Sequence, residues 1–166
     1  GLASPGTRRV LHAELDQHGI APERVHLLGP VEHVEFLRTY GQIDIALDTF
    51  PYNGGTTTTE AIWQGVPVVA FRGDRWASRT SASILRAAGL GEFLAADVNA
   101  FVSLAIDLAR SPATPDRLAS VRREMRERLR HSSVCDTKGF ARNMERIYRQ
   151  MYDRWRDPSG GARPRA

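Results

Sequence analysis

One short polar segment of this chain has residues that could bind phosphate: Asn53, two glycines and then four consecutive threonines. A glycine turn before a helix leaves backbone N–H groups without acceptors, and phosphate groups commonly bind at such points. Glycine has no Cβ, so a bulky anion can approach the backbone closely. We therefore expect a pyrophosphate to accept hydrogen bonds from Gly55, Thr56 and Thr57, with Asn53 and Gly54 forming the turn.

Glu60 follows one helical turn later, and its carboxylate could accept hydrogen bonds from ribose hydroxyls, as acidic residues do in other nucleotide folds. An alternative interpretation is an ordinary capped helix after a loop, with Glu60 exposed to water. The segment is not a Walker A loop, because no lysine follows the glycines, and it is not GxGxxG either. The residues alone leave both interpretations open.

A strand must precede this turn and a helix must follow it. The apolar run at 43–47 predicts a buried strand. The threonines are expected to cap a helix whose apolar face holds Ala61, Ile62 and the body of Trp63. Further strands are predicted at 24–29, 66–71 and 91–95, and further helices at 7–18, 34–40, 76–88, 100–110, 116–131 and 137–155. Alternating strands and helices predict an α/β fold: a Rossmann-like parallel sheet with helices on both faces.

Ligands of open parallel sheets bind beyond the carboxyl ends of the strands, which here lead into loops 29–33, 49–55 and 72–79. Ser78 is expected to add a donor to the anion site, and Arg75 or Arg79 could neutralise phosphate charge. The alternative is that Asp74 caps the next helix while the arginines are solvated. His33 could contact the base, although a lone loop histidine is more often simply exposed.

The composition indicates one domain with a real core: 166 residues, of which 42% are hydrophobic, and a net charge of +4. The many arginines of the last third alternate with acidic residues at helical spacing, which favours solvated helix faces over nucleic-acid or membrane binding. Cys135 is the only cysteine, which excludes an internal disulfide, and a cytoplasmic location is expected. The histidines form no ligand-spaced cluster, so we expect no metal.

The helix predicted at 137–155 has one strongly apolar face. Its residues recur at helical spacing, and core packing is the favoured interpretation. The tail at 157–166 is rich in Pro, Gly and Arg and is expected to be disordered. The apolar face consists of Phe140, Met144, Ile147, Tyr148, Met151 and Trp155.

The central segment resembles the C-terminal part of the O-linked N-acetylglucosamine transferase family, in its bacterial SPINDLY-like branch. The resemblance rests on DIALDTFPYNGGTTTTEAIWQGVPVV at 44–69, GDRWASR at 73–79 and the stretch 81–90, with a weaker match at 136–138 and 144–155. It implies the second, nucleotide-binding half of a GT-B glycosyltransferase over residues 1–156, with the first strands missing. Tetratricopeptide repeats and an N-terminal catalytic half are expected upstream.

The resemblance implies UDP-N-acetylglucosamine as donor, with its pyrophosphate at Gly55, Thr56 and Thr57 and its ribose at Glu60. No cofactor or metal is implied, and protein Ser or Thr side chains would be the acceptors. Gly55 stands where the animal enzymes have a histidine, and Glu60 replaces an aspartate of those enzymes. The base-contacting histidine of the family aligns by spacing with Phe36, while some bacterial relatives place theirs at the position of His33.

The expected function is therefore the donor-binding part of a protein O-linked N-acetylglucosamine transferase, inactive by itself because the catalytic residues lie upstream. One alternative is a GDP-fucose-dependent protein O-fucosyltransferase. Another is a non-catalytic repeat-scaffold protein with a vestigial nucleotide-binding half. No nucleic-acid or membrane partner is expected.

Overall fold

The computed structural model describes residues 2–157. The chain divides into two compact units, Gly1–Thr39 and Tyr40–Ala166. Disorder is predicted for residues 157–166. Of these, residues 158–166 lie outside the described residues.

The first unit contains two helices, α1 (Pro5–Gln17) and α2 (His33–Thr39), with a short 3-10 turn at Pro22–Arg24. The strand predicted at 24–29 is wrong: residues 25–32 have no regular secondary structure. An apolar run becomes a strand only when a neighbouring strand accepts and donates its backbone hydrogen bonds. All three described strands lie in the second unit and pair with one another.

The second unit contains a parallel three-stranded sheet in the order β1-β2-β3. Ala46 pairs with Val68, and Ala70 pairs with Leu94. The strands are shorter than predicted, but pairing extends past β1, because the Asp48 N–H donates to the Val69 carbonyl at 2.9 Å. The elements are β1 (Ala46–Leu47), α3 (Thr56–Trp63), β2 (Val68–Phe71), α4 (Thr80–Ala87), β3 (Leu94–Ala95), α5 (Val98–Arg110), α6 (Thr114–Arg130) and α7 (Thr137–Arg156).

The core lies around the central strand β2. Val68, Val69 and Ala70 of this strand are buried. A strand covered on both faces reads as a continuous apolar run, which explains why this one was predictable from the sequence. The other large residues of the core come from α3, α4, the turn before β3, and α6: Ile62, Leu85, Leu90, Phe93, Met125 and Leu129.

Arginines of α6 attach this helix to backbone carbonyls of other elements. Arg122 Nη2 donates to the carbonyl oxygens of Ile43 at 2.8 Å and Asp44 at 3.1 Å. Arg126 Nε donates to the Trp63 carbonyl at 2.9 Å. These arginines therefore stabilise the packing of α6 near the start of β1 and the end of α3.

Helix α7 differs from its prediction in packing. It has the predicted length and amphipathic pattern, but none of its residues is buried. The prediction that its apolar face packs in the core is wrong, because no described element covers that face; Met151 is 60% exposed and Trp155 is 75% exposed. Among the described residues, no helix is long and apolar enough to cross a membrane.

Candidate functional site

The predicted phosphate-binding turn leaves β1 at Asp48 and enters α3 at Thr56, with Gly55 as the N-cap residue. No side chain caps the helix, so the prediction that the threonines cap α3 is wrong. Thr59 Oγ1 instead donates to the Gly55 carbonyl at 3.1 Å. The side chains of Thr56 and Thr57 are exposed, and their hydroxyls form no hydrogen bond with another described residue.

The backbone adds further donors at the same place. The first N–H groups of a helix have no acceptor within it, and no described residue accepts a hydrogen bond from the N–H of Gly55, Thr56 or Thr57. The positive end of the α3 dipole lies here as well. Three predicted site residues thus present free donors at one helix terminus.

Gly54 has a different role from these three residues. Its N–H donates to Asp48 Oδ1 at 2.9 Å, and its carbonyl accepts from Ser81 Oγ at 2.9 Å. A Cβ at this position would lie 2.5 Å from Thr58 Oγ1 and 2.8 Å from Thr57 Oγ1. Only glycine therefore fits, and Gly54 gives the turn its shape without donating to a ligand.

Asn53 and Ser78 are buried, and their side chains hold the loops together. Asn53 Nδ2 donates to the Thr49 carbonyl at 2.9 Å, and its backbone N–H donates to the Ala77 carbonyl at 2.8 Å. Ser78 Oγ accepts from the Arg75 N–H at 3.2 Å and donates to the Arg75 carbonyl at 3.1 Å. The loops at 49–55 and 72–79 therefore lie side by side, as the sheet-edge argument predicts, but the Ser78 hydroxyl is engaged within its own loop.

Arg79 brings positive charge to this edge of the sheet. Its Nε donates to the Gly73 carbonyl at 3.1 Å and its Nη2 to the Asp74 carbonyl at 2.8 Å, which fixes the guanidinium beside the loop. Arg79, Arg72 and Arg86 line a groove of about 520 Å³ beyond the carboxyl ends of β2 and β3. Within the described chain, none of these three arginines forms an ion pair with an acidic residue.

Glu60 lies half-buried on α3, one turn after Thr56. Tyr40 is buried nearby and donates its hydroxyl hydrogen to the Thr57 carbonyl at 3.1 Å. Burial, and to a smaller extent the negative charge of Glu60, raise the pKa of Tyr40, so its hydroxyl stays protonated and remains a donor. Tyr40 therefore orients the peptide group of Thr57, a residue with an open hydroxyl.

His33 belongs to the first unit, at the start of α2. Its ring stacks on the ring of Phe36 with 6.4 Å between centroids. The two rings line an open groove of about 470 Å³ together with Leu28 and Val31. The groove offers a flat, partly apolar surface of the kind on which a base could stack, and a base contact by His33 stays a prediction.

The sequence interpretation missed Asp48 and Ser81, which bind Gly54 from two sides. Asp48 follows an apolar strand directly, a position that is itself a signal, whereas Ser81 stands in an ordinary helix and gives none. Burial raises the pKa of the Asp48 carboxyl, and hydrogen bonds from Gly54, Ser81 and Thr49 oppose that shift. Its Oδ2 is buried with no hydrogen-bond partner.

Comparison with known proteins places these features in a family context. A family model described as glycosyl transferase family 41 matches residues 4–144. A rice (Oryza sativa subsp. japonica) protein named as a probable UDP-N-acetylglucosamine–peptide N-acetylglucosaminyltransferase SPINDLY is 40% identical over 152 residues, which are 90% of this chain and 16% of the rice protein. A Caenorhabditis elegans UDP-N-acetylglucosamine–peptide N-acetylglucosaminyltransferase is 30% identical over 139 residues, 84% of this chain and 12% of that protein.

A solved structure supports the same relationship. A mutant of the Thermobaculum terrenum O-GlcNAc transferase superposes with a TM-score of 0.82 at 40% sequence identity, covering 92% of this chain and 29% of the other. The match confirms the predicted α/β fold class and the predicted family resemblance. The chain spans only about a sixth of the plant relatives' length, since it covers 16% of the rice protein.

Proposed function

This chain belongs to glycosyl transferase family 41, and we propose that it forms the donor-nucleotide-binding part of a protein O-linked N-acetylglucosamine transferase. The donor would be UDP-N-acetylglucosamine and the acceptor a Ser or Thr side chain of a protein, as the names of the rice and nematode relatives suggest. We expect the catalytic and acceptor-binding groups, with upstream tetratricopeptide repeats, in other parts of the longer protein.

The observation that carries this proposal is the set of open donors at the start of α3. The N–H groups of Gly55, Thr56 and Thr57 and two threonine hydroxyls have no acceptor among the described residues. Each hydrogen bond to a charged group contributes about 1.5–3 kcal/mol. In glycosyl transfer, negative charge develops on the departing diphosphate, so donors fixed in advance around it lower the barrier to reaction.

The surrounding charge favours the same ligand. The groove lined by Arg72, Arg79 and Arg86 lies at the carboxyl edge of the sheet. The proposed phosphate-binding turn follows β1 at the same edge. Clefts of one charge sign raise the local concentration of oppositely charged substrates. A nucleotide diphosphate would therefore meet positive potential as it approaches.

We propose that donor binding needs no metal ion. The groups around the turn are hydrogen-bond donors, and no cluster of three or more His, Cys, Asp or Glu side chains occurs between residues 2 and 157. The helix dipole, the free N–H groups and the arginines would compensate the diphosphate charge.

The test is a calorimetric titration of UDP and GDP into the full-length protein and its Thr56→Val and Thr57→Val variants. Each variant should weaken UDP binding about tenfold, because a hydroxyl that donates to a charged group is replaced by a methyl. Thr59→Val is the matched control, since the Thr59 hydroxyl already donates to the Gly55 carbonyl. Unchanged UDP affinity in both variants would disprove the phosphate assignment, and tighter binding of GDP would favour fucose transfer.

A further inference from the structure

We propose that Asp48 and Ser81 are positioning residues that fix the two peptide groups of Gly54 and thereby aim the backbone donors of the turn at the donor diphosphate. The inference rests on the proposed function and extends it to two residues that the ligand itself would not contact. Both lie outside the turn, Asp48 at the end of β1 and Ser81 in α4.

The bond from Ser81 acts directly on the first open donor. The Gly54 carbonyl and the Gly55 N–H belong to the same planar trans peptide group, in which the two bonds point in opposite directions. Ser81 Oγ donates to this carbonyl at 2.9 Å. Fixing the carbonyl toward Ser81 therefore fixes the Gly55 N–H on the opposite side, away from α4.

Asp48 fixes the preceding peptide group. Its Oδ1 accepts from the Gly54 N–H at 2.9 Å, so this N–H cannot also bind a ligand. With the N–H and the carbonyl of Gly54 both held, the two backbone dihedral angles of this residue have little freedom left. Glycine loses more conformational freedom on folding than other residues, so such bonds are most needed here.

The Ser81 side chain is itself held in place. It is fully buried, and its Oγ lies 2.9 Å from Thr58 Oγ1 in the second position after Thr56. The Ser81 side chain is also hydrogen-bonded to Asp48. A buried hydroxyl held by several partners has one geometry, which fixes the carbonyl that it contacts. The start of α3 and the start of α4 are thus joined through the phosphate turn.

The half-buried carboxylate of Asp48 lies beside the proposed anion site, and its presence there needs a reason. Asp48 carries negative charge where a diphosphate would approach, and its Oδ2 has no hydrogen-bond partner. Both features oppose anion binding and burial. The favourable interactions of this carboxylate are hydrogen bonds from Gly54, Ser81 and Thr49. Two of these partners are the residue that is held and the other residue that holds it, which agrees with a positioning role.

The experiment compares UDP with uridine, which lacks the phosphates, on the full-length protein. Asp48→Ala and Ser81→Ala should each weaken UDP binding about tenfold and leave uridine binding unchanged, because only the diphosphate uses the turn. Asp48→Asn keeps an oxygen acceptor for the Gly54 N–H and should keep UDP affinity within about threefold of the wild type. The double variant should lose less than the sum of the two single losses, since both bonds hold one residue.

Two matched controls test for nonspecific effects. Asp44→Ala removes an exposed carboxylate near the start of the same strand, and Ser83→Ala removes an exposed hydroxyl of the same helix. Neither should change UDP affinity. Equal losses of UDP and uridine binding, or unchanged UDP binding in Asp48→Ala and Ser81→Ala, would overturn the inference alone. A wild-type protein that binds no UDP would overturn the proposed function and the inference with it.

Discussion

Adjacent glycines have different roles in this turn. Gly54 is enclosed, because an added Cβ would lie 2.5 Å from Thr58 Oγ1, whereas an added Cβ at Gly55 would meet only Thr80 Cγ2, at 3.5 Å. The latter distance is an ordinary van der Waals contact, and the φ of Gly55, −120°, lies outside the left-handed region. The two neighbours should therefore respond differently to the same substitution.

We predict that Gly54→Ala lowers the free energy of unfolding by about 1–3 kcal/mol, because the methyl group forces the buried Thr58 side chain to move. Gly55→Ala should change it by less than about 0.5 kcal/mol. Urea denaturation of both variants of the 166-residue chain measures the difference. Equal destabilisation by the two alanines would contradict the enclosed geometry of Gly54.

At the residue scale, the sequence identified Thr56 and Thr57 as candidate donors but did not identify the residues that hold the turn. Thr56 and Thr57 were identifiable because a glycine turn followed by a helix N-terminus is a common phosphate-binding arrangement. Ser81 contacts Gly54 across 27 positions of sequence, and no local pattern encodes such a contact. The same limit explains why Ser78 was expected to reach a ligand although its hydroxyl bonds within its own loop.

At the element scale, helix α6 depends on charged side chains as much as on its apolar face. Met125 and Leu129 pack in the core, while Arg122 donates to carbonyls at the start of β1. The Arg122 guanidinium thus supplies a charged hydrogen-bond donor to two backbone carbonyls, and bonds of this kind are stronger than those between neutral groups. The arginines of this helix therefore have a structural use that the sequence interpretation did not include, since it favoured solvated helix faces with acidic neighbours.

We predict that Arg122→Ala lowers the free energy of unfolding by about 1–2 kcal/mol, because the carbonyls of Ile43 and Asp44 lose their donor. Arg123→Ala is the matched control: Arg123 is the next residue and is exposed. It should have almost no effect. Thermal denaturation of the two variants distinguishes them, and identical melting temperatures would show that the Arg122 bonds do not stabilise α6.

The predicted strands form where a neighbouring strand pairs with them, and the predicted strand at 24–29, which pairs with no described strand, does not form. The apolar run that became β2 is paired on both sides, by β1 and β3. The run at 24–29 contains Val25, Leu27 and Leu28, yet residues 25–32 form no strand. Hydrophobicity selects residues for burial, whereas strand formation also requires a neighbouring backbone, which a single segment does not reveal.

At the scale of the whole molecule, the described core ends before α7. Periodicity predicted this helix correctly, but the burial of its apolar face was predicted wrongly, because spacing shows that a face is apolar and not what covers it. Monomeric soluble proteins rarely expose a large apolar face of this kind.

We predict that serine substitutions of two methionines, both in long helices of the 166-residue chain, lower the free energy of unfolding by very different amounts. Met125→Ser should lower the free energy of unfolding by about 2–5 kcal/mol, because Met125 is fully buried in the core. Met151→Ser should lower it by less than about 0.5 kcal/mol, because that side chain is 60% exposed. Comparable losses from both substitutions, measured by urea denaturation, would show that α7 contributes to the core.

The hydrogen bond between Ser81 and Gly54 also limits which segments could be exchanged between related proteins. A loop graft that transplanted only 49–57 into another protein of this kind would bring the open donors but leave behind the serine that aims the first of them. The proposed phosphate-binding unit is therefore discontinuous in sequence: one part follows β1, and the other is the buried Ser81 hydroxyl in α4. Engineering of donor specificity in this family should therefore treat the two parts as one unit and exchange them together.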